Sequence, residues 1–256
     1  MRLVDRLRAT RRRLAHEFGK RLLRAAGSFQ ARHSRIATTP FLANDTFPWI
    51  GQIEASWREV RAELEPLLRR PEDIPSFHQL SPDQQRISRG DHWKTYAFYV
   101  MTQRIDDNCA ACPATAKLLD TLPHLQNAWF SILAPRYHIP PHHGPTRAFV
   151  RCHLGLIMPK DREQCWLRVD QEIRVWEEGR CLIFDDTYEH EVRNDTDELR
   201  VVLFLDFDRP MDAIGTWFNR VLLRLIRASH YFKDPVRNLA LWNKRLRREA
   251  QQATFQ

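Results

Sequence analysis

Glycine is scarce in this chain of 256 residues, which has eight in total. Neither G-x-G-x-x-G nor G-x-x-x-x-G-K-[ST], the loops that cradle phosphates in nucleotide-binding proteins, occurs in the sequence. A βαβ nucleotide-binding protein is therefore not expected. Because 43% of the residues are apolar, the composition also excludes wholesale disorder, and the length suits one sizeable core with appended helices.

Long apolar runs are missing too. No run approaches the roughly 20 residues that a membrane-spanning helix needs, and residues 1–18 lack the apolar segment of a secretory signal. The five cysteines are an odd number, which fits a reducing compartment. We therefore expect a cytoplasmic protein. Cys109 and Cys112 form an isolated C-x-x-C, which we interpret as two ordinary thiols, with redox or metal chemistry as the alternative.

Positive charge is concentrated at the two ends. Residues 1–35 hold eleven basic and two acidic residues, a net charge of +9, and residues 209–256 hold ten and three, a net charge of +7. Since the whole chain carries +8, residues 36–208 carry −8. A nucleic-acid-binding domain would carry its basic surface on the folded core, so no nucleic-acid partner is expected.

Both basic ends have the periodicity of amphipathic helices. In residues 217–232, Arg220, Arg224 and Arg227 are predicted to share one face, with the apolar side chains Phe218, Val221, Leu222 and Leu225 opposite. Such helices are typical of proteins that lie on an anionic membrane, and we expect peripheral association with the inner face of the membrane. The alternative is a helix packed on the core with its basic side in solvent. The ends divide the chain into three predicted parts, 1–40, 41–211 and 212–256.

The central part begins with helices and continues as strands. Residues 48–70 and 113–122 have apolar residues at helical spacing and are predicted helices. The first ends before Pro71, and the second starts at Pro113. After them come seven short segments rich in β-branched and aromatic residues: 129–134, 148–158, 165–170, 173–179, 181–186, 188–194 and 199–208. Strands without intervening helices predict an antiparallel sandwich or jelly-roll barrel.

Strand alternation assigns faces in "IPPHHGPTRAFVRCHLGL", residues 139–156. Since neighbours on a strand point to opposite faces, His142 and His143 cannot both face one site. Phe149, Arg151 and His153 share a face, and an anionic ligand is the expected partner of this buried basic pair.

Further along the chain, His190 and Arg200 lie on two later strand segments. Two histidines and an arginine on a β barrel suggest iron held by imidazoles beside a dicarboxylate site, as in non-haem Fe(II) oxygenases. The alternative is that these histidines are ordinary surface or core residues.

Three segments make this interpretation specific: "HHGPTRAFVRCHLGL", "IRVWEEGRCLIFDDTYEHEV" and "LRVVLFLDFDRPM". Together with "WFSILAPRYHIPPH", they resemble the aspartyl/asparaginyl β-hydroxylases, Fe(II)/2-oxoglutarate-dependent dioxygenases, over about residues 45–211. The resemblance implies a mainly β protein with flanking helices around a double-stranded β-helix (jelly-roll, cupin-like) core, which uses Fe(II), 2-oxoglutarate and O2. It implies His142 and His190 as iron ligands, and Ser131 and Arg200 as the site for the distal carboxylate of 2-oxoglutarate. Arg151 and His153 would lie near the other end of 2-oxoglutarate or near the substrate.

Gly144 departs from the H-x-D pattern of most 2-oxoglutarate oxygenases, but resembles the β-hydroxylases that act on peptide aspartate or asparagine. The resemblance implies a water in the vacant ligand position. Chloride, as in related halogenases, and a pseudoenzyme that has lost its carboxylate are the alternatives. Asp185 and Asp186 are expected to shape the turn before His190, or otherwise to hydrogen-bond a ligand histidine.

The substrate is predicted less directly. Animal peptide hydroxylases of the family carry R-x-R-x-H where this chain has Phe149, Arg151 and His153, so one arginine for an acidic substrate is missing. The C-terminal part resembles a bacterial branch that hydroxylates a lipid A acyl chain, although that branch has H-x-D and an apolar N-terminal anchor. The first expectation is hydroxylation of an aspartyl or asparaginyl amino acid or peptide. A lipid A acyl-chain hydroxylase and a non-catalytic membrane-surface binding module are the alternatives.

Overall fold

The computed structural model describes residues 25–228 and 230–254. Eight α-helices lie in these ranges: α1 (25–32), α2 (Ile50–Ala55), α3 (Trp57–Leu68), α4 (Phe77–Leu80), α5 (Asp106–Ala111), α6 (Pro113–Thr121), α7 (Ala213–Ala228) and α8 (His230–Thr254). Within the described ranges, no helix combines the length and the apolar character needed to cross a bilayer.

The strands of the described chain form two antiparallel sheets. They are β1 (Phe41–Leu42), β2 (Trp93–Val100), β3 (Gln103–Arg104), β4 (Leu125–Leu133), β5 (Tyr137–His142), β6 (Phe149–Ile157), β7 (Cys165–Val169), β8 (Glu172–Val175), β9 (Cys181–Phe184), β10 (His190–Asn194) and β11 (Arg200–Asp208). The larger sheet has the order β1-β9-β6-β11-β4-β2-β3, and the smaller has the order β5-β10-β7-β8. From β4 to β11 the chain winds between the two sheets, which is a double-stranded β-helix. The predicted fold class is confirmed.

Alternating side chains on the larger sheet serve two separate cores. On β6 and β11, Cys152, Leu154, Val201 and Leu203 face a helical layer and pack with residues of α2, α3 and α6 such as Leu64. The side chains between them, such as Val202, face the smaller sheet and pack with Leu167 and Val192 in the barrel interior. Both cores are closed to water, which fixes the strand register because a slip of one residue would exchange the two faces.

The predicted helix over 48–70 is two helices, because the chain breaks between α2 and α3 at Ser56. The prediction for 113–122 agrees with α6. All seven predicted strands are present, and the structure adds four that were not predicted, β1, β2, β3 and β5, of which β5 carries His142. The predicted N-terminal helix lies mostly outside the described residues, and the three-part division stays a prediction.

The side of the C-terminal helix that packs on the protein is only partly the predicted apolar face. Phe218 packs against Phe29 of α1, with ring centroids 4.6 Å apart, and Arg227 donates to the Gln126 side chain over 2.9 Å. The buried residues of α7 are Gly215, Asn219 and Leu223. Because a hydrogen-bonded asparagine lies at the centre of the buried stripe, hydrophobicity alone does not identify the buried side of the helix.

Candidate metal and 2-oxoglutarate site

The two predicted iron ligands are neighbours on adjacent strands of the smaller sheet. His142 ends β5, His190 begins β10, and the two residues are direct partners in the antiparallel pairing. Their ring centroids are 4.1 Å apart. His143 is exposed, and its Nδ1 lies 3.1 Å from the carbonyl oxygen of Thr187. The strands thus bring His142 and His190 together and turn His143 away.

Both rings present the same nitrogen to a ligand. Nδ1 of His142 lies 2.8 Å from the Pro140 carbonyl, and Nδ1 of His190 lies 3.0 Å from the Tyr188 carbonyl. Since a carbonyl oxygen only accepts hydrogen bonds, each Nδ1 carries the proton and each Nε2 keeps its lone pair. Burial lowers the pKa of His142 to about 4 and that of His190 well below its usual value. Two neutral imidazoles oriented by backbone carbonyls fit a divalent transition metal such as Fe(II).

The position beside Gly144 is filled. A Cβ built on Gly144 would lie 2.1 Å from Oδ2 of Asp186, and the Gly144 N–H donates to the Asp186 carbonyl over 2.7 Å. The Asp186 carboxylate thus lies where a side chain at 144 would begin; that a water fills the third ligand position of the metal stays a prediction. No group of three or more His, Cys, Asp or Glu side chains suited to a metal occurs in the described ranges. The protein thus offers two ligands.

Arg200 is a buried cation that has no acidic partner among the described residues. Its Nη1 donates to Ser131 Oγ over 3.5 Å, its Nε has no hydrogen-bond partner there, and its guanidinium lies 4.8 Å from the centre of the Trp176 ring. Burial lowers its pKa to about 10. A buried guanidinium without an acidic neighbour needs a negatively charged partner, and the carboxylate of a bound ligand would supply it.

Further unpaired polar atoms surround Arg200. Ser131 Oγ accepts from Trp93 Nε1 over 3.0 Å, which leaves its own O–H to donate. His153 is buried, its Nδ1 accepts from Trp176 Nε1 over 3.3 Å, and its Nε2–H has no described partner. The Thr95 hydroxyl is likewise buried without a described partner. Unsatisfied buried polar groups are rare in native proteins, so this cluster fits a polar ligand such as 2-oxoglutarate.

Arg151 is placed differently from the sequence expectation. It lies on the same strand as His153, but its Nε is 3.0 Å from Asp206 Oδ1 and its Nη2 is 2.9 Å from Asp186 Oδ2. The charge of Arg151 is therefore balanced by protein carboxylates, whereas Arg200, for which the resemblance already implied an anionic ligand, lacks a described acidic partner. The sequence missed this because Asp206 faces Arg151 from β11, a register that emerges only when the strands pair.

Comparison with known proteins decides the family. A profile of the aspartyl/asparaginyl beta-hydroxylases matches residues 54–210. The chain belongs to this family. It is 37% identical to the ornithine lipid ester-linked acyl 2-hydroxylase of Rhizobium tropici over 226 residues, which cover 88% of this chain and 80% of that protein.

Human aspartyl/asparaginyl beta-hydroxylase is 30% identical over 166 residues, which cover 63% of this chain and 21% of the human protein. The chain thus spans about a fifth of that relative. Among solved structures, a Pseudomonas putida prolyl-4-hydroxylase matches with a TM-score of 0.42 and 17% identity, over 63% of this chain and 100% of that chain. The predicted family is confirmed, and with it membership of a hydroxylase family.

Three site residues of this hydroxylase were not expected from the sequence. Trp176 covers the Arg200 guanidinium and donates to His153, Trp93 donates to Ser131, and Asp206 pairs with Arg151. For Asp206, the signal was the shared side with Arg200 on β11. No motif marks the two tryptophans. Asp185 does shape the turn, because its Oδ1 accepts from the N–H and the hydroxyl of Thr187.

The stability of the metal-free hydroxylase is expected to fall below pH 6.5, in part through His153. Burial, with the nearby charge of Arg200, holds the pKa of His153 well below 6.5. Below pH 6.5 His153 therefore binds a proton in the unfolded chain but stays neutral in the folded chain. The contribution of His153 to stability is present at higher pH and is lost as the pH falls. Each unit by which the pH falls below 6.5 lowers the free energy of unfolding by roughly 1.4 kcal/mol for each such histidine.

Urea titrations at pH 7.5 and 5.5 in the presence of a chelator measure this effect. His153→Gln is expected to reduce the pH dependence, and His124→Gln, at an exposed position, is expected to leave it unchanged. An identical pH dependence for His153→Gln and the wild type contradicts the assigned burial of a neutral imidazole.

Proposed function

We propose that this protein is an Fe(II)/2-oxoglutarate-dependent hydroxylase whose substrate is the ester-linked acyl chain of a membrane lipid. The observation that carries the cofactor assignment is the buried guanidinium of Arg200, which lies beside unpaired polar atoms in the same barrel as two neutral imidazoles. His142 and His190 would hold the iron. Arg200 and Ser131 would bind the distal carboxylate of 2-oxoglutarate, and the Nε2–H of His153 is a further donor to this co-substrate.

Bound Fe(II) with 2-oxoglutarate and O2 supplies the oxidising power for hydroxylation: one oxygen atom enters the substrate C–H bond and the other enters succinate, with loss of CO2. The protein side chains bind and orient. The aromatic rings of Trp176, Phe184 and Phe204 surround His153 and exclude water from the co-substrate site. The Asp186 carboxylate beside Gly144 opposes a chloride at that position, which favours hydroxylation over halogenation.

The surroundings of position 149 support an acyl substrate. Phe149, where peptide hydroxylases resembling this chain have an arginine, is buried in an apolar cluster with Met101, Ala148 and Leu223. Arg151 is balanced by Asp186 and Asp206. The chain therefore offers less positive charge for an acidic side chain than the peptide pattern does. The Rhizobium tropici relative, matched over most of its length and named for an acyl 2-position, agrees with this choice. Such an enzyme would work at a membrane surface, as a peripheral protein.

A second candidate is the β-carbon of an aspartyl or asparaginyl residue or amino acid. It is favoured by the match of residues 54–210 to the family profile and by the human relative. In that case Arg151 would leave its carboxylate partners to meet the substrate.

One experiment separates the two candidates. The protein is incubated with Fe(II), 2-oxoglutarate and O2, together with either detergent-dispersed ornithine lipid or an aspartate-containing peptide, and succinate and product masses are measured. We expect one added oxygen atom on the lipid, at position 2 of the acyl chain by fragmentation. Oxygen added to the peptide alone would support the second candidate. Succinate no higher than in a metal-free control with both substrates would contradict the proposed function.

A further inference from the structure

One face of α7 carries large apolar side chains that nothing in the described chain covers. Ile214, Trp217 and Leu225 are 61%, 67% and 67% exposed, and Val221 lies between them at 38%. Their positions differ by three, four and four residues, so they form one stripe along the helix. Exposed apolar groups this large, aligned on one element, mark a binding surface rather than ordinary scatter. We call these four residues, with Arg220 and Arg224, the docking face.

Positive charge accompanies the stripe. Arg220 and Arg224 are exposed beside it, and α7 has no acidic residue. An apolar stripe flanked by arginines is the composition of helices that lie in the surface of an anionic bilayer. Tryptophan favours the boundary between lipid and water, and each arginine adds attraction to anionic headgroups.

The opposite side of α7 is fixed to the barrel. Asn219 accepts from Gln30 Nε2 of α1 over 2.6 Å and donates to the Ala148 carbonyl over 3.4 Å. Leu223 packs with Ala148 and Phe149. These contacts reach the segment 143–149, which leads from His142 into β6. The same helix therefore holds the chain next to the metal site on one side and presents the docking face on the other.

Two other occupants of the face are less suited to its charge. A second copy related by a two-fold axis would bring Arg220 and Arg224 of both copies together, and like charges in a contact are unfavourable. Residues 1–24 of this chain hold nine basic and two acidic residues, so they would also bring positive charge to a positive surface.

We propose that the docking face of α7 binds the surface of an anionic lipid bilayer, with Trp217 and Leu225 entering the interface and Arg220 and Arg224 contacting lipid phosphates. This proposal rests on the proposed lipid hydroxylation, which gives the docking face its purpose. Because vesicle binding is measured without turnover, the membrane-binding proposal and the proposed hydroxylase function can fail separately.

Vesicle co-sedimentation of the full chain tests the proposal, with vesicles of equal parts phosphatidylglycerol and phosphatidylcholine and vesicles of phosphatidylcholine alone. We expect binding to the anionic vesicles. The pair Trp217→Gln and Leu225→Gln is expected to weaken binding by more than about tenfold, and the pair Arg220→Gln and Arg224→Gln by about 30-fold. Matched controls are Ile173→Gln, at an apolar position 60% exposed on β8, and the exposed pair Arg69→Gln and Arg162→Gln; these are expected to bind as the wild type.

A second readout is independent of affinity. Lipids brominated on the acyl chain are expected to quench the fluorescence of Trp217, and Trp217→Phe is expected to bind vesicles while losing that quenching. All variants should show unchanged thermal unfolding, since the altered positions are exposed. Equal vesicle binding by the docking-face and control variants would overturn the proposal. So would a wild-type dimer in sedimentation velocity that becomes a monomer in the Trp217→Gln, Leu225→Gln protein, because the face would then be a self-association surface.

Discussion

Replacing Arg200 with methionine is expected to weaken 2-oxoglutarate binding by at least about 30-fold while leaving the ligand-free protein no less stable. The guanidinium is buried, burial lowers its pKa to about 10, and no described acidic side chain balances it. Removing one partner of a buried, hydrogen-bonded charge pair costs about 2–5 kcal/mol of binding free energy, and each 1.4 kcal/mol is about tenfold in Kd. The same substitution removes an uncompensated buried charge from the free protein, which stabilises or is neutral.

Opposite responses of binding and stability distinguish a ligand-binding arginine from a structural one. Calorimetric titration with 2-oxoglutarate in the presence of Fe(II) measures the first, and urea unfolding without either measures the second. Arg193→Met, at an exposed arginine on β10, serves as the control and is expected to change neither. An Arg200→Met protein that unfolds more easily yet binds 2-oxoglutarate normally would show that Arg200 supports the barrel only.

Replacing Arg151 with methionine, unlike replacing Arg200, is expected to cause a large loss of stability in the ligand-free protein. Arg151 lies between Asp186 and Asp206, both of them buried. Without it the two carboxylates remain in the interior with no cation from β6, and breaking a buried ion pair from one side costs about 3–5 kcal/mol. Arg136→Met is the matched control, because Arg136 donates twice to Asp197 at the surface and an exposed pair is worth about 1 kcal/mol or less.

The loss caused by Arg151→Met should also depend on pH. Burial already raises the pKa of Asp186 to about 7 against the lowering effect of Arg151, so removing the arginine raises that pKa further. A raised carboxyl pKa in the folded state costs stability above the unfolded pKa and costs less as the group protonates. The destabilisation should therefore be smaller at pH 5.5 than at pH 8, and Asp206→Asn should partly restore stability at pH 8. A loss that is independent of pH and is not relieved by Asp206→Asn would contradict the assigned ion-pair network.

Alternation along β6 correctly predicted that Phe149, Arg151 and His153 share one face, because this strand separates two closed cores. It could not predict β5, since Pro140 and Pro141 stand inside that strand. The prolines are tolerated because β5 is an edge strand of the smaller sheet, where missing N–H donors break no ladder. Edge position depends on sheet order and is not visible in a local pattern.

For the candidate site, the sequence likewise predicted which residues take part but not which partners balance their charges. His142, His190, Ser131, His153 and Arg200 converge in the structure as the family resemblance implies. What balances each charge depends on pairing between distant strands, as Asp206 of β11 opposite Arg151 of β6 shows. The space beside Gly144 is a similar case, because Asp186 reaches it from the segment between β9 and β10. The buried stripe of α7 was not predictable for the same reason, since the hydrogen-bond partner of Asn219, Gln30, is 189 residues away.

The central claim is that the neutral imidazoles of His142 and His190 hold Fe(II) beside 2-oxoglutarate. An anaerobic titration with Fe(II) and 2-oxoglutarate, followed by the weak visible charge-transfer band of their chelate, tests it directly. We expect the band in the wild type and in His143→Ala, whose imidazole is exposed one residue away, and Fe(II) affinity lowered by more than about tenfold in His142→Ala and His190→Ala. A wild type without the band, or a band lost equally in His143→Ala and His142→Ala, would contradict the assignment.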